Sequence, residues 1–276
     1  MDFISAIAEY TFLQHAAIAA MLSGVVCGIV GTYIVARRRV FLSGGITHAS
    51  FGGIGIAYYL GLNPVWGALV FAVLASIGIE WGSVKGRMRE DSVIGMVWSF
   101  GMSIGIIFVY MTPGYAPNLM SFLFGSILTV STIDILALGI LVVALAVVVA
   151  FLLRPVMYVA FDADFARSRG VPVASVSYIM AIFVALAIVF CIRSVGIVLL
   201  ISLLTVPAVI VNTVTQRFGR IMLWASVVAV VGNMAGLYIS YVMNVPAGAA
   251  TIFIFALALI IIKLLHLYFR NKARTQ

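Results

Sequence analysis

Residues 12–39 read FLQHAAIAAMLSGVVCGIVGTYIVARRR, an uncharged and mostly apolar run that closes on three consecutive arginines. An apolar helix of about 20 residues is long enough to cross the ~30 Å hydrocarbon core of a bilayer. Because Lys and Arg are retained in cytoplasmic loops, the arginine triplet also indicates the direction of the crossing. The stretch therefore predicts a membrane-spanning helix that ends at the cytoplasmic face.

Similar apolar runs recur along the whole chain. It has 276 residues, of which 64% are hydrophobic and only 9% charged, whereas a soluble domain carries roughly 25% charged residues. We therefore expect an all-α fold, a polytopic helical bundle embedded in the lipid bilayer, with residues 1–276 forming a single transmembrane domain. The net charge of +8 fits loops held near anionic lipid headgroups. The sequence has no block of basic residues interleaved with aromatics, the pattern that would indicate nucleic-acid binding.

The basic residues predict how often the chain crosses. Of the 16 Lys and Arg residues, all but Arg193 fall in every second gap between apolar runs. This alternation predicts about nine spans, or eight if the turn at Arg193 stays inside the membrane, with the N-terminus outside and the C-terminus in the cytoplasm. Residues 2–11 are expected to form a short amphipathic segment in the outer interface, and residues 114–131 an interfacial or re-entrant piece on the outer side. The predicted spans are 12–36, 46–60, 64–81, 93–111, 133–153, 174–192, 195–214, 221–243 and 247–267.

The most polar segment is FDADFARSRGVP at 161–172, on the side predicted to be cytoplasmic. Its composition is typical of one short, fully capped helix. Asp162 can cap the N-terminus and Asp164 adds negative charge to the first turn. Arg167 lies in the last turn, and Gly170 suits the left-handed position that follows a helix.

This predicted helix has an aromatic edge. Phe161 and Phe165 are four residues apart and are expected to share one face, with Ala166 beside them. Such a helix outside the bilayer is suited to docking into a groove on another protein. A helix lying on the lipid surface is the alternative.

The spacing F-D-x-x-F-A-x-x-x-G resembles the coupling segment in the metal-ion permease family of ATP-binding-cassette importers, the bacterial uptake systems for zinc, manganese and iron(II). Further stretches are similar to that family, among them RRRVFLSGGITHASFGGIG and VPAGAATIFIFALAL. Together they cover nearly the whole chain in order. They lie at 37–55, 89–105, 119–128, 196–211 and 245–259.

The resemblance implies a transport subunit in a bacterial cytoplasmic (inner) membrane rather than an enzyme. It implies a homodimer, an extracytoplasmic metal-binding protein and cytoplasmic ATP-binding subunits. No G-x-x-x-x-G-K-[ST] sequence occurs in the chain, so ATP hydrolysis is expected on a separate chain. The residues expected to couple to that ATPase are Phe161, Asp162, Asp164, Phe165, Ala166, Arg167 and Gly170.

His48 lies in the second apolar run, within ITHASFGG, among small residues that bring other helices close. Neutral imidazole is a ligand for zinc, manganese and iron(II), and ionisable groups inside a membrane often line a pathway. A packed histidine that is hydrogen-bonded to a hydroxyl or carbonyl is the alternative. The family resemblance implies D-x-x-x-H here, but the aspartate position is Gly44 in this chain. One copy would therefore offer a single imidazole, and two His48 side chains of a dimer could meet near its axis.

Other polar residues could help to bind the ion in the translocation pathway. Candidates are Thr47, Ser50, Asn233 and Ser240. Glu80 is expected to face the membrane interface and Asp134 to cap a span. No permanently bound cofactor is expected, because the metal ion is cargo.

Taken with the resemblance, these features predict a permease that moves a divalent transition-metal ion into the cytoplasm by alternating access. Zinc is the first candidate for the transported metal, and manganese or iron(II) is the next. The reason is that an imidazole without a carboxylate favours softer borderline ions. One alternative is an ion-gradient-driven metal carrier or channel without an ATPase. Another is an intramembrane hydrolase, since residues 101–105 match G-x-S-x-G and Ser103 could pair with His48.

Overall fold

A computed structural model describes residues 3–84, 86, 88–113 and 130–274. Within these ranges the chain forms eleven helices and no strand. The predicted piece at 114–131 lies outside the described residues except for its last two positions. The helices are α1 (Phe3–Glu9), α2 (Thr11–Ala36), α3 (Val40–Tyr59), α4 (Pro64–Val84), α5 (Glu90–Met111), α6 (Thr132–Phe161), α7 (Ala163–Ser168), α8 (Val173–Val195), α9 (Ile197–Asn212), α10 (Phe218–Met243) and α11 (Ala247–Arg274).

Eight of the described helices are long and apolar enough to cross a membrane, which confirms the predicted polytopic bundle. They are α2, α3, α4, α5, α6, α8, α10 and α11. Helix α9 has 16 residues, or roughly 24 Å of length at 1.5 Å per residue, and is shorter than the others. The short α1 packs Phe3 against the rings of Tyr238 and Tyr241 on α10.

Four helix junctions meet at one end of the bundle, which we call the basic end. Arg39 joins the α2–α3 junction to the α4–α5 junction through ion pairs with Glu80 and Glu90. The ring of Phe161, the last residue of α6, contacts the ring of Phe218, the first residue of α10, with centroids 5.9 Å apart. Arg38 lines the same cavity as Phe161, so these junctions lie together.

The opposite end gathers the remaining junctions. His15 Nδ1 near the start of α2 lies 3.3 Å from the Val130 carbonyl oxygen. Arg193 Nη1 in the last turn of α8 lies 2.9 Å from Asp134 Oδ1 in the first turn of α6. Asp134 also caps α6 in a reciprocal box with Ser131, as its predicted capping role requires.

Helix α9 returns the chain from the opposite end to the basic end. Gly196 separates it from α8 with a φ of 89°, a conformation that glycine adopts without steric cost. The sharp turn therefore falls at Gly196 rather than at the predicted Arg193–Ser194 pair. Gly31 of α2 lies against the Leu204 carbonyl, so α9 runs beside α2. The described part of the chain thus has eight candidate spans and the shorter apolar helix α9.

Several predicted span ends differ from the structure; α11, for example, runs to Arg274 instead of ending at residue 267. Helix α6 continues through Pro155 to Phe161 instead of stopping at residue 153. Val156, Val159 and Ala160 are buried in the core, and this packing outweighs the backbone hydrogen bond that proline removes. Helix α3 likewise begins at Val40, six positions before the predicted start.

Helix α3 is the most buried of the spans because small residues let its neighbours approach closely. A Cβ at Gly53 would overlap the Gly67 carbonyl of α4, and one at Gly52 or Gly55 would overlap the backbone of α5. In lipid, such rows of small residues drive helix association through close van der Waals packing. Small residues therefore bring α3 close to neighbouring helices on two sides.

Glu80 does not face the membrane interface, contrary to the expectation from its position near a span end. It is 3% exposed, and its Oε2 accepts a hydrogen bond of 2.6 Å from Arg39 Nη1. Its Oε1 lies 3.6 Å from Arg37 Nη1, and Arg39 Nε lies 2.7 Å from Glu90 Oε1. We call Arg37, Arg39, Glu80 and Glu90 the ion cluster.

The ion cluster ties four elements together at the basic end. Arg37 Nη1 also donates to the Tyr33 hydroxyl at 2.7 Å and to the Ser177 Oγ of α8 at 3.3 Å. Buried guanidinium groups need such partners because desolvation of a charge without a counter-charge is costly. The cluster therefore fixes α2, α4, α5 and α8 relative to one another.

Substitution of Glu80 by Gln should destabilise the protein strongly. Loss of one partner from a buried ion pair leaves the other charge uncompensated, at a cost of about 3–5 kcal/mol in the free energy of unfolding. Thermal unfolding of the detergent-purified protein measures this loss. The matched control is Asp91→Asn, which removes an exposed carboxylate and should change stability by less than about 0.5 kcal/mol. Equal stability of the two variants would show that the cluster does not hold the helices.

Candidate transport site and coupling helix

His48 lies on α3 where α5 and α9 come close to it. Its ring stacks on the ring of Trp98 from α5, with centroids 4.2 Å apart and an interplanar angle of 20°. Its Nδ1 lies 2.9 Å from the Gly44 carbonyl oxygen, one turn earlier on the same helix. The imidazole is therefore held from two sides and is partly buried.

The contact with Gly44 assigns the tautomer of His48. A carbonyl oxygen only accepts hydrogen bonds, so Nδ1 carries the proton and donates it. In the neutral imidazole, Nε2 then keeps its lone pair. Histidines that bind metal commonly donate their other ring N–H to a backbone carbonyl or a carboxylate in this way. The alternative of a packed histidine that is hydrogen-bonded to a carbonyl fits both the contact with Gly44 and the stack on Trp98.

Position 44 faces the same space as His48. A Cβ added at Gly44 would lie 3.0 Å from Ile201 Cδ1 of α9 and 3.4 Å from Trp98 Cζ3. An aspartate in this position would therefore bring its carboxylate beside the imidazole. Gly44 leaves the described part of this site without a negative charge.

The hydroxyls of Thr47 and Ser50 are satisfied within α3. Thr47 Oγ1 donates to the Ser43 carbonyl at 2.5 Å, and Ser50 Oγ donates to the Thr47 carbonyl at 2.6 Å. Both side chains are buried. Their hydroxyl oxygens can still act as acceptors beside His48, but their hydroxyl protons are donated to backbone carbonyls of α3.

Asn233 and Ser240 lie on α10, and their hydrogen-bond partners among the described residues belong to other elements than the contacts of His48. Asn233 Nδ2 donates to the Ala20 carbonyl at 2.9 Å and to Ser23 Oγ at 3.3 Å, and it lines a small cavity of about 40 Å³ between α2, α10 and α11. Ser240 Oγ donates to the Val245 carbonyl at 2.6 Å, and the residue is partly exposed. Thr47 and Ser50 therefore lie on α3 beside His48. Asn233 contacts α2 instead, and Ser240 contacts the turn before α11.

A single copy offers few ligands for a dication. Among the described residues, no group of three His, Cys, Asp or Glu side chains could hold a metal ion. One imidazole does not complete the coordination of a divalent ion. Further ligands for a bound ion would have to come from another chain, from water or from uncharged oxygens.

The hydrolase alternative does not fit the geometry. Ser103 lies inside α5, its Oγ donates to the Ser99 carbonyl at 2.8 Å, and its side chain is exposed on the helix surface. A nucleophilic serine of this motif needs a strand-to-helix turn. The ring of His48 contacts Trp98 rather than Ser103.

Helix α7 has the predicted capping. Asp162 Oδ1 accepts from the backbone N–H groups of Asp164 and Phe165, each at 2.9 Å. At the other end Gly170 has a φ of 73°, and its N–H donates to the Arg167 carbonyl at 2.9 Å. The Val171 N–H donates to the Ala166 carbonyl at 3.0 Å, which completes a Schellman motif. Asp164 and Arg167 form an ion pair on the surface of the helix.

The aromatic edge is built differently from the prediction. Phe161 ends α6 and is 62% exposed, whereas Phe165 belongs to α7 and is 42% exposed. Phe165 meets Tyr158 edge to face at 5.4 Å, and the Arg169 guanidinium lies 5.2 Å from its ring. Ala166 is fully buried and anchors α7 against the bundle. The two phenylalanines therefore do not share one helix face, but both leave ring surface open at the basic end.

Sequence reasoning missed Trp98 and the ion cluster. Trp98 lies in the stretch at 89–105, which resembles the family. Its stacking on His48 depends on the parallel packing of α3 and α5, which are not adjacent in sequence. Glu80 was a detectable signal, because a carboxylate near a span end usually has a cationic partner when it is buried. The arginine triplet supplied that partner.

Comparisons with known proteins cover almost the whole chain. The family model described as the ABC 3 transport family matches residues 9–266. An uncharacterized membrane protein of Synechocystis sp. is 35% identical over 253 residues, covering 92% of this chain and 90% of the relative. The manganese transport system membrane protein MntC of Halalkalibacterium halodurans is 31% identical over 261 residues, covering 93% and 89%.

A solved structure agrees with the fold. The chain matches PsaBC from Streptococcus pneumoniae in complex with Fab with a TM-score of 0.84 and 28% identity, covering 94% of each chain. A family match over most of the length, a helical membrane bundle and a capped helix between two spans lead to the same assignment. The chain belongs to the ABC 3 transport family.

Proposed function

We propose that this chain is the permease subunit of an ATP-binding-cassette importer that moves a divalent transition-metal ion into a bacterial cell. It would work in the cytoplasmic membrane as a homodimer, with two ATP-binding subunits inside and a metal-binding protein outside. The observation that carries the proposal is α7, a capped and exposed helix at the basic end of a bundle from this family. An importer of this kind needs such an element to receive force from a separate ATPase.

The distribution of charge supports the orientation. Within the described ranges, Arg193 is the basic residue at the opposite end, and Asp134 pairs with it at 2.9 Å. Seven arginines belong to the basic end: Arg37, Arg38, Arg39, Arg167, Arg169, Arg217 and Arg220. Under the positive-inside rule this end faces the cytoplasm, which puts α7 where ATP is available and the N-terminus outside.

His48 is the residue that we assign to the translocation pathway. Its Nε2 lone pair is free of the hydrogen bond that holds Nδ1, so it can bind a cation. A homodimer would supply two such imidazoles, and Thr47 or Ser50 could add oxygen acceptors. Weak coordination suits a pathway because a transported ion must also leave its site.

The identity of the metal follows from two opposing considerations. The relative MntC is named as a manganese transport protein, which makes manganese the first candidate. Zinc, placed first by the sequence argument, remains the second candidate because Gly44 removes the carboxylate that suits manganese and leaves an imidazole site.

An ion-gradient-driven carrier is less well supported. Such carriers need intramembrane carboxylates that can exchange coupling ions. Glu80 and Glu90 are paired with arginines of the ion cluster, and Asp134 is paired with Arg193. The comparisons also favour a family of ATP-driven transport.

Substitution of His48 by Ala should lower metal uptake at least ~10-fold. Loss of a residue that only orients a metal ligand commonly costs about 10–100-fold in affinity, so loss of the ligand itself should cost no less. Uptake of radioactive manganese and zinc into cells that express the full importer measures the effect. The matched control is His266→Ala, an exposed histidine near the end of α11, and it should transport normally. Normal uptake by His48→Ala would remove His48 from the pathway.

The same uptake assay on the wild-type protein decides between the metals, and Gly44→Asp tests whether the missing carboxylate causes a preference for zinc. The new Cβ meets the flexible end of Ile201 at 3.0 Å, which requires only a small adjustment. If the wild-type protein carries zinc, the added carboxylate should shift the preference towards manganese. If the wild-type protein already prefers manganese, the zinc candidate is rejected.

Substitution of Phe165 by Asp should abolish coupling without preventing insertion into the membrane. An aromatic anchor at a protein interface commonly contributes more than about 2 kcal/mol to binding, so association with the ATPase should weaken at least ~10-fold. Co-purification of the ATP-binding subunit and ATP-dependent uptake are the measurements. Ser168→Ala changes an exposed residue of the same helix and serves as the control. Full uptake with Phe165→Asp would rule out docking through α7.

A further inference from the structure

A groove between α9, α10 and α11 has a polar mouth and apolar walls. Its volume is about 490 Å³. The polar lining consists of Arg220 and Thr215, and Trp224 lies between them and the apolar part. The apolar walls are Ile210, Val211, Val214, Val228 and Ile262. We call this the α9–α11 groove.

The polar groups of the groove can receive an anion. Within the part of the chain that the structure describes, Arg220 forms no ion pair, and its guanidinium carries five N–H donors in a fork that matches phosphate. Thr215 Oγ1 accepts from the Arg217 N–H at 3.5 Å, so the hydroxyl proton remains available for a second acceptor. No acidic residue lines the groove.

The dimensions of the groove match one half of a bilayer. On α10 it extends from Arg220 to Val228, roughly 12 Å of helix at 1.5 Å per residue, and the hydrocarbon half-thickness is about 15 Å. The charged mouth lies at the basic end, near the headgroup level. Trp224 is 54% exposed and Val214 is 78% exposed, and tryptophan is enriched at the boundary between headgroups and hydrocarbon.

A second basic residue lies near the groove. Gly232 and Gly236 of α10 pack against Phe255 and Thr251 of α11, respectively, so the two helices are antiparallel. This register puts Lys263, which directly follows the groove residue Ile262, at the level of Trp224. A cation at this depth adds to the attraction for an anionic headgroup.

We propose that the α9–α11 groove is a binding site for an anionic phospholipid of the leaflet at the basic end. Arg220 and Thr215 bind the phosphate, and an acyl chain lies along Val211, Val214 and Val228. The lipid would join α9, which packs beside the α3 helix of His48, to α10 and α11. The proposal does not depend on the transported metal or on the ATPase, so it is tested independently of the proposed function.

A second copy of the chain fits the groove less well than a lipid. In a two-fold symmetric contact the same patch meets itself, so Arg220 of each copy would approach the basic mouth of the other. No acidic residue lines the groove to neutralise that contact. Charge complementarity therefore favours a phosphate group over a symmetric protein contact.

Native mass spectrometry of the purified full-length chain with phosphatidylglycerol and phosphatidylcholine tests the proposal. The wild-type protein should retain phosphatidylglycerol preferentially, and Arg220→Gln should lower that retention about 5-fold, the effect of roughly one lipid-facing basic residue. The matched control is Arg217→Gln, which removes the same charge three residues away but outside the groove lining. It should leave retention unchanged.

Two further variants keep the test decisive if Arg220→Gln unfolds. Thr215→Val should weaken retention of phosphatidylglycerol, and Val228→Phe, which fills the apolar wall, should displace the lipid. Equal loss in Arg217→Gln would indicate diffuse surface attraction and overturn the proposal. Two other results would also overturn it. One is displacement of the lipid by excess inorganic phosphate, and the other is a groove variant that changes the dimer fraction but leaves lipid retention unchanged.

Discussion

The cost of placing a guanidinium or ammonium group in hydrocarbon governs the whole arrangement. Each such group costs about 2.5–3.5 kcal/mol at the centre of a spanning helix, so the basic residues are confined to the ends of the spans. Their alternation along the chain then fixes which junctions meet. Helix α7 and the mouth of the α9–α11 groove lie at the basic end as a consequence of this one constraint.

Where arginines do enter the protein interior, they are paired. The ion cluster allows Arg37 and Arg39 to be nearly buried, with side chains 10% and 13% exposed, beside two carboxylates. It joins α4 and α5, which flank α3, to α2 and α8. The rows of small residues then bring α3 close to both neighbours, and Trp98 can stack on His48. The geometry at His48 therefore depends on packing and ion pairs far from the imidazole itself.

Much of this structure could be predicted from the sequence because its signals are local or periodic. The apolar runs and basic residues predicted a bundle of eight or nine spans, and eight candidate spans are found in the described part of the chain. The caps of α7 follow from Asp162 and Gly170. The continuation of α6 through Pro155 was not predicted, since it depends on the burial of Val156 and Val159. The partners of Asn233 and Glu80 were also missed, because they lie on helices distant in sequence. Gly44 was recognised as a departure, but only the structure shows that its missing side chain faces Trp98 and Ile201.

Site-directed labelling tests the central claim, that the basic end and α7 face the cytoplasm, most directly. Single cysteines would replace Asp164, 90% exposed on α7, and Asn63, exposed at the opposite end, in a background with Cys27 and Cys191 changed to Ser. A membrane-impermeant thiol reagent added to intact cells should label position 63 and not 164, and inverted membrane vesicles should give the reverse. Labelling of position 164 from outside intact cells would contradict the account, because no cytoplasmic ATPase could then reach α7.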